Sequence, residues 1–132
     1  MVGERFQFGD KTLPYNPNIK RNCVDYLKWL SNEQIDEELE KNRLNYSVLL
    51  MNIAYDSNLG SIIRTSNAFG TKEVIIFGRK HIDRRACVGT EFFTNFRHLK
   101  FIEDIGDLFS EFDEVIALDN NVEMEVVELS NL

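Results

Sequence analysis

Two apolar runs of strand length, residues 46–53 and Glu73–Phe77, flank a stretch at 56–70 whose apolar residues recur at helical spacing. Near-continuous apolarity suits a strand whose sheet is covered on both faces. A helix between two such strands predicts a βαβ unit with a parallel sheet. The first turn of that unit, past the carboxyl end of its first strand, is where α/β sheets bind ligands.

The helix can be read residue by residue. Asp56, Ser57 or Asn58 can cap it, and Gly70 is placed to end it. Leu59, Ile62, Ile63 and Phe69 make the expected buried stripe. Gly60, Arg64 and Asn67, at i, i+4 and i+7, share a different face. Glycine there weakens a helix, a cost explained if something must approach the backbone closely. With the positive end of the helix and a guanidinium, that face suits an anionic ligand such as a phosphate. A solvated face of an ordinary crossover helix has the same periodicity, and spacing alone does not separate the two.

The run Asn58-Leu-Gly60-Ser-Ile-Ile-Arg64-Thr-Ser-Asn-Ala-Phe-Gly70 resembles the first motif of the SpoU branch of the SPOUT RNA methyltransferases. The likeness continues through residues 74–78, 84–88 and 115–119, and so covers roughly 46–119. It implies a Rossmann-like SPOUT-type α/β core with a parallel sheet. It also implies transfer of a methyl group from S-adenosylmethionine to a ribose 2′-hydroxyl of tRNA or rRNA. Carried onto this sequence, the resemblance places Asn58 and Arg64 at the reaction, with Arg64 positioning the hydroxyl and its neighbouring phosphate and Asn58 orienting Arg64. Gly60 leaves room for substrate, and Leu118 and Asp119 line the adenosine side of the donor pocket. The family's dimers imply a second copy over the exposed edge of the sheet. Two later family motifs, which build the trefoil knot and hold the methyl donor, have no counterpart before Leu132. The expectation is therefore a truncated SpoU-like domain at 46–132 without the knot, behind an N-terminal arm and helical scaffold at 1–45. The alternative from another class is a non-catalytic RNA-binding or protein-interaction module.

Composition matters mainly through where the charge lies. The net charge of the 132 residues is −7, which by itself argues against nucleic acid. Residues 1–63 hold seven basic and nine acidic side chains, 64–101 eight basic and three acidic, and 102–132 ten acidic and no basic ones. RNA affinity follows the local field, so the middle third is the expected contact surface. Its loop at 78–85 supplies Arg79, Lys80, Arg84 and Arg85 as phosphate contacts. Phe92, Phe93 and Phe96 follow, either stacking on bases or, as burial statistics favour, packed under the loop. Two cysteines in unrelated contexts, Cys23 and Cys87, with His81 and His98, make no zinc spacing and point to reduced thiols in a cytoplasmic, metal-free protein. No run approaches membrane-spanning length, and the first residues lack a signal-peptide pattern.

The remaining elements are scaffold. Residues 1–21 read as an extended arm or loose lead-in. Val24, Leu27 and Leu30 share one side of a short helix in which Trp29 is core or partner surface. Ser31 to Gln34 matches a capping box for a second helix anchored by Ile35 and Leu39, with Lys41 and Arg43 at its end. A short strand at 98–101, an amphipathic helix at 102–112 and a third central strand at 114–119 follow. Residues 122–132 fit an edge strand or a short helix equally.

Overall fold

The computed structural model describes residues 1–8, 23–51 and 53–119. Four strands form one sheet in the order β1-β4-β3-β2: β1 is Glu4–Phe6, β2 Ser47–Met51, β3 Glu73–Phe77 and β4 Phe96–Leu99. The β2–β3 and β3–β4 pairs are parallel, with Val48 opposite Val74 and Val74 opposite Phe96, while β1 runs antiparallel to β4. The chain is thus a mixed α/β protein with a mostly parallel sheet.

The β2–helix–β3 unit is present as its pattern predicts, with α2 spanning Asp56–Ala68. Alternation along β3 sorts its side chains. Val74 and Ile76 join Leu50, Leu59, Ile63, Ile82, Cys87 and Phe96 in a cluster beneath α2. Ile75 turns the other way, onto Leu99 and Leu108. Leu108 is the buried residue of α4 (Asp104–Phe109), which is shorter than the helix expected at 102–112 and leaves Ile102 and Phe109 exposed. Gly70 ends α2 as expected, at φ +67°, a value that favours glycine. The Ser31 capping box forms in full at the start of α1 (Asn32–Lys41).

Four expectations need correction. Residues 4–6 form the edge strand β1 on β4, because the apolar Phe6 packs on Phe96 with ring centroids 5.3 Å apart. The first helical segment is a single tight turn, Asp25–Leu27, and Trp29 is 74% exposed. Phe69 lies beyond the last turn of α2 and is exposed, so it leaves the buried stripe. Residues 114–119 form no strand: they have no ladder partner among the described residues, and Val115, Ile116 and Leu118 are exposed. A strand exists only where a neighbouring edge takes its hydrogen bonds, which a local apolar run cannot specify. The rest of the expected arm, from 9 onward, and the reading of 122–132 lie outside the described residues. Among the described residues no helix is long and apolar enough to cross a membrane.

Candidate functional site

The carboxyl edge of the parallel strands is built from the start of α2 and the loop that follows β3. Asp56 opens α2, but it does not cap it. The N-cap is Tyr55, without a side-chain bond, and the Asp56 carboxylate instead faces the loop. Its Oδ2 lies 2.5 Å from His81 Nδ1 and 3.4 Å from Arg79 Nη2. The main chain joins the same two segments, since the Asp83 N–H donates to the Asp56 carbonyl at 3.1 Å. This pairing spans 25 positions of sequence, and no spacing rule reaches that far. The only sequence signal was that both groups stand just past the ends of adjacent strands.

A short helix, α3 (Arg84–Cys87), packs against α2. Gly60 makes this possible. A Cβ on it would stand 2.7 Å from Ala86 Cβ, 2.7 Å from the Asp83 carbonyl oxygen and 3.3 Å from the Cys87 nitrogen. The close approach inferred for Gly60 is real, and the chain itself occupies it. Asn67, on the same face, is also spoken for: its Nδ2 donates to the Phe93 carbonyl at 3.2 Å and lies 3.4 Å from Thr94 Oγ1. Arg64 is the one member of that face left in solvent, with no ion pair among the described residues. Asn58 is exposed too, but six residues of helix put it about 120° around the axis from Arg64. No hydrogen bond joins them, so Asn58 does not orient Arg64 here.

The basic loop is less bare than its composition suggests. Arg84 Nε lies 3.1 Å from Glu91 Oε1 and its guanidinium covers the Phe92 ring at 5.1 Å. Arg85 grips Asp83 with Nε at 3.1 Å and Nη2 at 3.2 Å. These bonds from Arg85 hold the Asp83 carboxyl below its ordinary range. Lys80 sits over the Phe6 ring at 4.8 Å. Phe96 is buried and Phe92 and Phe93 are half-buried, in keeping with packing under the loop.

Leu118 and Asp119, expected beside the adenosine of S-adenosylmethionine, lie in a segment that belongs to no helix or strand, with Leu118 84% exposed. A cavity of about 650 Å³ does exist, at the opposite edge of the sheet. Arg5, Lys72 and Arg97 border it together with Glu40, Glu73 and Glu111, and none of the motif residues does. Its charges balance, which gives it no preference for anions. No group of three or more His, Cys, Asp or Glu among the described residues could hold a metal ion.

Cys87 is buried, and burial pushes its thiol up to about 11, with Glu91 and Asp83 acting in the same direction. Since the thiolate is the reactive form, Cys87 should resist alkylation at pH 8 in the native protein and react once the chain is unfolded. The test is mass-spectrometric counting of labelled cysteines with and without denaturant. Stability should also fall as pH rises from 9.0 through about 11, because the unfolded thiol ionises first.

Comparison with protein-family models, with curated proteins and with solved structures finds no match for the chain. What fold and site define together is an α/β domain with a polar, partly cationic surface at the carboxyl edge of its parallel strands.

Proposed function

We propose that this chain is an RNA-binding α/β domain of the SpoU methyltransferase type. It holds a ribose–phosphate segment between the outer face of α2 and the loop after β3, with tRNA or rRNA as the implied class of partner. Arg64 carries the reading. It is a solvent-facing guanidinium with no ion pair among the described residues, one turn beyond the point where Gly60 seats α3 against α2. A planar fork of five N–H donors matches phosphate oxygens, and here none is committed to the protein. Arg79, Arg84 and Arg85 each keep a carboxylate partner, but each retains further donors, and Arg85 is almost wholly exposed. They can add phosphate contacts that set position without reading bases.

Methyl transfer to a ribose 2′-hydroxyl is the second reading, favoured by the Asn58, Gly60 and Arg64 pattern at the first turn of a parallel βαβ unit. In it Arg64 positions the hydroxyl and phosphate and does not act as the base, because guanidinium keeps its proton above about pH 12.

Fluorescence anisotropy with a labelled single-stranded RNA tests the first reading. Arg64→Ala should weaken binding several-fold and lower the slope of log affinity against log salt by about 1, while leaving the fold intact. An unchanged slope would remove Arg64 from the interface, and no RNA binding at low salt would overturn the reading. Titration calorimetry with S-adenosylmethionine decides between the two: silence keeps the binding domain, whereas saturable heat supports the transferase.

A further inference from the structure

We propose that His81, held by Asp56, reads the ribose 2′-hydroxyl and gives this surface its preference for RNA over DNA; the inference rests on the RNA-binding reading above. The imidazole is pinned on one side only. Its Nδ1 lies 2.5 Å from Asp56 Oδ2, whose position is fixed by the start of α2 and by Arg79 at 3.4 Å. A carboxylate on Nδ1 selects the tautomer with the proton there, which turns Nε2 outward as an acceptor. Nε2 has no partner among the described residues, and the side chain is 67% exposed. A loop histidine without such a partner would rotate freely and lose entropy on every contact, whereas this ring is already oriented.

The surroundings fit the chemistry of a ribose. A 2′-hydroxyl stands next to the 3′-phosphate of the same nucleotide, so a group that reads it needs a phosphate-holding neighbour. Arg79 and Lys80 immediately precede His81, and Arg84 and Arg85 follow. The acidic groups nearby are already engaged: Asp56 by His81 and Arg79, and Asp83 by Arg85. The 2′-hydroxyl both donates and accepts, so Nε2 can pair with it whether the ring is neutral and accepting or protonated and donating. A deoxyribose offers nothing to bond.

The experiment is fluorescence anisotropy on the full chain at low salt, with a labelled single-stranded RNA of mixed sequence and the DNA strand of matching sequence. Wild type should favour RNA by roughly three- to ten-fold, the size of one net hydrogen bond. His81→Ala should bring the two strands level, and His81→Gln, whose amide can donate and accept, should restore part of the difference. Arg64→Ala should weaken both strands equally. His81 is exposed, so these variants are expected to keep the native circular dichroism. An RNA preference that survives His81→Ala, or equal affinity for both strands in wild type, overturns this inference and leaves the RNA-binding reading standing. Binding of neither strand overturns both.

Discussion

Arg97→Ala should be the most damaging single substitution in the domain, lowering stability by on the order of 3–5 kcal/mol. Arg97 is only 1% exposed although it sits on β4, in the middle of the sheet. Its Nη2 bonds Glu73 Oε1 at 2.6 Å, and its Nη1 bonds Glu111 Oε2 at 2.6 Å and the Val2 carbonyl at 3.0 Å. Glu111 in turn accepts from the Val2 N–H at 2.7 Å. One guanidinium therefore ties the N-terminus, β3, β4 and the end of the α4 segment together. Removing it leaves the Glu73 carboxylate buried with its charge partner gone, which costs more than the pair itself contributes. The pair is not ideal, since Arg97 Nε is buried without a partner among the described residues. Replacing charge by shape should therefore recover much of the loss: Arg97→Met with Glu73→Gln should be markedly more stable than Arg97→Ala. Urea unfolding of the three proteins decides it, and a loss under about 1 kcal/mol for Arg97→Ala would show that the network holds little. Acid should act on the same hub. Burial opposes ionisation of Glu111, but the bonds from Arg97 and Val2 outweigh it and hold the carboxyl below 4.5. The stability it contributes is thus complete above 4.5 and fades as pH falls through the lower, folded value.

Gly60→Ala should destabilise the protein even though alanine is the better helix former. Helix propensity alone favours the change by about 1 kcal/mol. Against this, the new methyl would stand 2.7 Å from the Asp83 carbonyl oxygen and from Ala86 Cβ. The first of these is backbone, so relief requires α3 and its loop to move away from α2. Overpacking of this kind costs about 1–3 kcal/mol, leaving a net loss of up to about 2 kcal/mol. Gly106 in α4 is the internal control, because a Cβ there meets nothing within 4 Å. Gly106→Ala should stabilise while Gly60→Ala does the reverse, as read by thermal unfolding. Displacing α3 would also shift Arg84 and Arg85, so Gly60→Ala should weaken RNA binding without touching a contact residue. If both substitutions stabilise, the packing of α3 on α2 is looser than described.

The βαβ unit was legible because its signals are local. An apolar run long enough for a strand, a 3.6-residue stripe and a stop glycine each act within a few residues, and each came out in place but for Phe69 at the end of the stripe. The Ser31 capping box was legible for the same reason. The strand expected at 114–119 failed because it depends on a partner edge elsewhere, and β1 was missed because three residues are too few to show a period. The candidate site divided along the same line. Arg64 was found as an exposed cation, and the basic loop was found by counting. Two of the partners that neutralise much of that loop, Asp56 and Glu91, are fixed by how the loop folds back, whereas Asp83 pairs with Arg85 two residues away.

By itself the sequence determined the order and type of the elements of the βαβ unit and the presence of an asparagine, a glycine and an arginine on its crossover helix. Only the tertiary structure decided what those residues face. Gly60 and Asn67 turn inward to the chain, Arg64 stays in water, and Asp56 leaves its own helix to hold His81. Hydrophobic period is written along the chain and can be read along it. The partner of a polar side chain is set by which distant backbone arrives beside it, and that is a property of the folded sheet.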